Sequence, residues 1–183
     1  MNWFKKHKVW TVILILVLLG GIGAALGGGS TKNNSSSEGS SNSSGSSAKT
    51  TAKVGQPARD GKFEFVVKSI ECGRANVGSE FLTEAAQGQF CLLNITVKNI
   101  GNEAQGLSSS NQYLYNSQGQ RYSADDAATY AAAPRDNNTW YQQVNPGNTV
   151  EGAIVFDVPK DVTPVSAELH DSAFSGGIKI NLQ

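Results

Sequence analysis

The chain has 183 residues, 15 basic and 15 acidic side chains, two histidines and two cysteines. The zero balance hides an asymmetry: residues 1–53 carry six lysines against Glu38, or +5, whereas residues 54–183 carry nine basic and fourteen acidic side chains, or −5. A net-acidic body repels a phosphate backbone, so no nucleic-acid partner is expected, and two histidines are too few for a histidine-rich zinc site.

Residues 1–8, MNWFKKHK, form a short basic leader. Residues 9–26, VWTVILILVLLGGIGAAL, follow without a charge. As a helix this run is about 27 Å long, close to the hydrocarbon thickness of a bilayer. Trp3 and Trp10 flank its start, where amphipathic rings favour the interface. The lysines ahead of the run hold that end in the cytoplasm, which places the rest of the chain outside. The expectation is a single-pass cell-membrane protein with the lipid bilayer as partner of residues 9–26 and an extracellular C-terminal domain. A cleaved leader is the competing reading, and would leave the chain secreted. Gly21, Gly23, Ala24 and Ala25 would suit a peptidase, but the run exceeds the roughly 7–15 residues of a signal core. No cysteine directly follows the span, which excludes a lipidated lipoprotein.

Residues 27–53 are almost entirely Gly, Ser, Thr, Asn and Lys, with no large apolar side chain. Such a segment cannot offset its own ordering entropy and reads as a disordered linker, spanning roughly 30 Å as a flexible coil. Asn33, Asn34 and Asn42 each begin an Asn-x-Ser sequon, relevant only in a host that glycosylates them.

From Val54 onward period-2 patterns dominate. Lys62–Cys72 is β-branched and aromatic. In FCLLNITVKN, Cys91, Leu93, Ile95 and Val97 share one face, with Asn94, Thr96 and Lys98 opposite. QYLYNSQGQRY reads as a hairpin turning at Ser117–Gly119, and TWYQQV as a short strand ended by the Asn145-Pro146-Gly147 turn. TVEGAIVFDVP, VSAELHD and GIKINLQ complete the strands. SADDAATYAAAP is the one helical candidate, with Ser123 as N-cap, Asp125 and Asp126 in the first turn, and Pro134 as the stop. Short strands at regular spacing predict an all-β, immunoglobulin-like antiparallel β-sandwich over residues 54–183.

Outside the membrane, two cysteines in one small domain pair. A Cys72–Cys91 disulfide would close a loop of about 20 residues, constraining the unfolded state by about 3 kcal/mol in the chain-entropy relation. It would pin the loop Gly73–Phe90 against the following strand. The alternative, a redox or metal-binding thiol pair, lacks both Cys-x-x-Cys spacing and a histidine nearby in sequence.

Catalytic signals are sparse, and no cofactor or metal is expected. His170 is the one histidine beyond the leader. His170, Asp171 and Ser172 suggest a triad, but adjacent side chains on a strand point to opposite faces, so the expected role of Asp171 or Ser172 is to organise the turn before Gly176-Gly177. Asp125 and Asp126, with Asp136 nearby, lack the spacing of a calcium loop, and a helix N-terminus accounts for the pair. The remaining feature is aromatic: Tyr113, Tyr115, Tyr122, Tyr130, Trp140 and Tyr141. Tyr130, Trp140 and Tyr141 are the candidate binding residues if they are exposed together; otherwise these rings pack in the core or cover sheet edges.

Five stretches, VGQPARDGKFEFVVKSIECG, CLLNITVKNIGNEAQ, LYNSQGQRY, NPGNTVEGAIVFDVP and LHDSAFSGGIKINL, resemble, in order, the bacterial extracellular domain of unknown function 4352 family. That family is similar in fold to a mycobacterial secreted immunoprotective antigen and to telokin-like immunoglobulin folds. The resemblance implies a fold and a place outside the cell, and the paired cysteines fit it; it implies no activity. The expected function is a membrane-anchored extracytoplasmic binding module with a cell-wall or secreted protein or glycan partner. The alternatives are a structural or stress-related envelope protein without a discrete ligand, and an enzyme acting on wall polymers. The enzyme would need carboxylates such as Glu80, Glu84, Asp125 or Asp136 to converge in a cleft.

Overall fold

The computed structural model describes residues 51–134, 140 and 142–183. The basic leader, the apolar run 9–26 and the linker up to residue 50 lie outside the described residues, as do Asp136, Thr139 and Tyr141. No helix among the described residues is long and apolar enough to cross a membrane.

In chain order the elements are β1 (Ala52–Lys53), β2 (Pro57–Asp60), β3 (Phe63–Ser79), β4 (Leu82–Asn99), β5 (Gln105–Gly106), β6 (Tyr113–Tyr115), β7 (Arg121–Ser123), helix α1 (Asp126–Ala132), β8 (Gln143–Val144), β9 (Thr149–Val158), β10 (Ser166–Leu169) and β11 (Ile178–Asn181). They form a β-sandwich. One sheet has the order β1-β11-β10-β6-β7, the other β2-β3-β4-β9, with a small β5-β8 ribbon alongside. Pairing is antiparallel except between β1 and β11, which run parallel.

The period-2 pattern sets the core. Phe63, Phe65 and Val67 of β3, Cys91, Leu93, Ile95 and Val97 of β4, and Ile154, Phe156 and Val158 of β9 point inward. They meet Leu114, Ala167, Leu169 and Ile180 from the other sheet. Beyond Leu93 the outer face of β4 is polar as the alternation requires, but Phe90 and Leu92 are buried on that outer side too. They pack with Val77, Val155 and Ala128 in a second, smaller core beneath α1. Alanines make that contact possible: Ala128 is fully buried, and its methyl lets the helix lie close to the sheet.

The helix starts later than expected. Ser123 ends β7, and the cap is Asp125, whose Oδ1 accepts from Ala128 N at 2.9 Å. The same segment covers the outer edge of β9. Asp125 N donates to Val155 O at 2.8 Å, and Thr129 Oγ1 accepts from Val155 N at 3.0 Å. Trp140 Nε1 donates to Ala153 O at 2.8 Å. An edge strand left open is a template for unwanted pairing, and these bonds occupy part of it.

The Gly73–Phe90 segment is not a loop. β3 continues to Ser79 and β4 resumes at Leu82, making a long hairpin with a two-residue turn, Glu80-Phe81. Cys72 and Gly73 together oppose Cys91, a bulge in which Gly73 takes φ +100°. The Cys72–Cys91 disulfide crosses the two arms at this bulge, with Cα atoms 4.0 Å apart and Cys91 fully buried. The strand expected at 139–144 is shorter, reduced to Gln143–Val144 among the described residues.

Candidate binding site

Two depressions meet at the C-terminal end of α1, on the outer face of the four-stranded sheet. The larger, about 690 Å³, runs between Lys68, Asn94 and Glu151 on the strands and Ala132–Pro134 after the helix, with Trp140 at its side. The smaller, about 370 Å³, lies between Phe81 and Leu82 of the hairpin tip and Tyr130 and Pro134. Both are lined by Ala133 and Pro134, so the two lie side by side at the helix end.

The polar wall consists of paired groups. Lys68 Nζ lies 2.6 Å from Glu151 Oε2, and Asn94 Nδ2 donates to Ser69 Oγ at 2.9 Å. Lys68 and Glu151 are half-exposed, so their ion pair contributes little stability and can exchange partners with a polar ligand. The apolar wall is exposed. Phe81 is 79 % accessible, Tyr130 49 % and Leu82 40 %, three large apolar side chains at one end of the molecule. A two-residue hairpin turn favours Asn, Asp or Gly, so turn geometry gives no reason for phenylalanine at position 81.

The sequence candidates separate here. Tyr130 lines the smaller depression and is exposed. Trp140 borders the larger one but is only 5 % accessible, its indole laid on β9 against Gly152, where a β-carbon would meet the ring at 2.9 Å. Tyr141 lies outside the described residues. Phe81 and Leu82 were not singled out from the sequence, and Pro134 only as a helix stop; the available signal was a large apolar residue between two strands, where a turn calls for small polar ones.

The other tyrosines cover sheets. Tyr122 packs against the core. Tyr113 and Tyr115 lie on the outer face of the five-stranded sheet, with Arg121 4.5 Å over the first ring and Lys179 4.7 Å over the second. Burial, reinforced by the Glu168 carboxylate and opposed by Arg121, raises the Tyr115 hydroxyl above the ordinary tyrosine value. Asp171 accepts from Lys62 N at 3.0 Å and so ties to the β2–β3 turn rather than to its own, while in the turn before Gly176 it is the backbone oxygen of Ser172 that accepts from Ser175 N at 3.2 Å. Asp126 accepts from Ser109 Oγ, and Asp125 is committed to its cap. Among the described residues no three acidic, His or Cys side chains are placed to hold a metal ion.

Two packed sheets of mostly antiparallel strands, with the Cys72–Cys91 bridge across the β3–β4 hairpin, define a disulfide-linked β-sandwich domain. The chain belongs to the family described as Domain of unknown function (DUF4352), matched over residues 52–180. No curated protein matches it. Among solved structures it is similar to the secreted protein MPT63 of Mycobacterium tuberculosis, with TM-score 0.54 and 17% identity over 74% of this chain and 99% of that one. It is also similar to a conserved hypothetical protein of Bacillus anthracis, with TM-score 0.51 and 19% identity over 69% of this chain and 94% of that one. A third is yjhA of Bacillus subtilis, with TM-score 0.50 and 14% identity over 72% and 100%. At these identities the likeness is one of fold.

Proposed function

We propose that this protein is a membrane-tethered, extracytoplasmic binding module of a bacterial cell envelope, an immunoglobulin-like sandwich whose groove at the end of α1 takes a cell-wall or secreted partner. The carrying observation is the cluster of Phe81, Leu82 and Tyr130, large, exposed and gathered beside a groove. Apolar surface of this kind is costly to leave in water and marks contact sites. The uncharged run at 9–26 and the polar linker after it support the tether. The disulfide supports an oxidising compartment, and the similar Mycobacterium tuberculosis protein is a secreted one.

The test has two arms. Protease added to intact protoplasts should remove residues 54–183 and leave a short membrane-bound fragment; a protected domain sinks the compartment. The full chain in nanodiscs should co-sediment with insoluble wall polymer or its bound proteins, and Phe81→Ser should weaken this about 5-fold or more, as expected for an interface aromatic worth at least about 1 kcal/mol. Equal sedimentation of both chains sinks the groove.

A further inference from the structure

A second polar constellation lies on the outer face of the five-stranded sheet, the opposite side of the sandwich from the groove. The rule that separates His170 from Asp171 unites it with Glu168, two residues earlier, on one face of β10 and its continuation. His170 Nε2 lies 3.0 Å from Glu168 Oε1. The turn that follows brings Ser175 back, with its Oγ 3.3 Å from His170 Nδ1. The imidazole is held in place. Tyr113 meets it edge-on with ring centroids 5.6 Å apart, and Gly177, at φ +66°, sits so close that a β-carbon would strike the ring. Fully buried Gln112 clamps the backbone, accepting from His170 N at 2.8 Å and donating to His170 O at 2.9 Å. The His170 and Glu168 side chains are 12 % and 16 % accessible, sheltered yet reachable.

We propose that Ser175, His170 and Glu168 form a nucleophilic relay in which Ser175 is acylated by carboxylic esters. Nucleophile, base and orienting carboxylate stand in the order that activates a hydroxyl. Glu168 accepts a hydrogen bond from Nε2–H and so leaves Nδ1 as the acceptor facing Ser175. As Ser175 Oγ attacks the ester carbonyl carbon, its proton passes to Nδ1. The alkoxide then leaves and takes that proton as the alcohol. Water repeats the sequence on the acyl-serine, releasing the acid and restoring both residues. Ser172 O, 3.1 Å from Ser175 Oγ, is the competing acceptor, and rotation of the hydroxyl decides between them. Phe174, 99 % accessible and next to the nucleophile, offers an apolar acyl group a contact. The charges around the ring are Glu168, Lys179 with its Nζ 3.9 Å from Glu168 Oε2, and Arg121 over Tyr113; Asp171 is turned toward Lys62 N. Ser175 and His170 are catalytic, whereas Glu168 is a positioning residue. None of the three lines the groove, so this relay stands or falls apart from the binding role.

The full chain in detergent, treated with an alkyl fluorophosphonate, tests the relay. The phosphorus takes the place of the carbonyl carbon and fluoride leaves. The expected result is one adduct, on Ser175, located by peptide mass spectrometry. Ser175→Ala should abolish it, and His170→Gln should slow it about 100-fold. Glu168→Gln should slow it about 10-fold and shift its pH profile, with Glu168→Asp restoring part of the rate. If His170→Gln does not fold, the pH profile of the unaltered chain decides: a rate climbing through one titration as the imidazole loses its proton supports the relay, and a flat profile overturns it. Absence of an adduct, or adducts spread over Ser172 and Ser166 at rates that His170 does not change, also overturns it.

Discussion

Replacing both bridged cysteines, Cys72→Ala with Cys91→Ala, removes the one covalent link across the β3–β4 hairpin. Their separation in sequence is 19 residues. The chain-entropy relation assigns a loop of that length about 3 kcal/mol. Cys91 is fully buried in the main core, so the lost sulfur also leaves a small void, worth about 1 kcal/mol. For a domain of this size each kcal/mol lowers Tm by about 3–5 °C, so thermal unfolding should move down by about 12–20 °C. The loss should also be uneven. The hairpin end from Asn76 to Ala85 is joined to the sandwich through the bulge at Cys72 and Gly73, and through Val77 of the second core. Hydrogen exchange should therefore accelerate there before it does in the pairs between Phe65 and Val97 and their neighbours. A fall in Tm under about 3 °C, equivalent to under about 1 kcal/mol, would refute the reasoning. So would a uniform rise in exchange across the sandwich.

The remaining predictions concern the groove and its supports. Phe81→Ser should leave stability within about 0.5 kcal/mol in chemical denaturation, because the ring is mostly in water; a large loss would mean that the side chain serves the fold. Thr129→Val strands the Val155 N–H at the covered edge of β9 and should cost about 1–3 kcal/mol in the same assay, with an unchanged midpoint counting against the edge-capping role. Gly152→Val drives a side chain into the Trp140 ring and should cost about 1–3 kcal/mol, with a change in tryptophan emission as the indole is displaced. Because the folded state holds Tyr115 above its unfolded value, its contribution is fully present below about pH 10 and is lost as pH rises through the folded value. Tyr115→Phe should flatten that alkaline loss in a Tm-against-pH series, and an unaltered slope would remove Tyr115 from the account.

Much of the fold can be read from local periodicity. Leu93, Ile95 and Val97 alternate with Asn94, Thr96 and Lys98, and the inward set is the one that is buried. The 113–123 hairpin and the turn after Asn145 also fall where their residues place them. Alternation fails at Phe90 and Leu92, because a helix more than thirty residues later covers what would otherwise be the solvent face. It fails differently between Gly73 and Phe90, expected as the loop pinned by the disulfide. Hydrogen bonds between the arms and the bridge at the bulge instead extend a strand through them.

The groove and the relay share one reason for being hard to foresee. Side-chain alternation is a local property, fixed by pleat geometry two residues at a time, and so the sequence alone determined which faces are apolar, that the body is built of strands, and that Glu168 and His170 point the same way. Which surfaces meet depends instead on register, bulges and the path of each turn over long separations. Only the tertiary structure set Pro134 beside Phe81, laid Trp140 along Gly152, and folded Ser175 back onto His170.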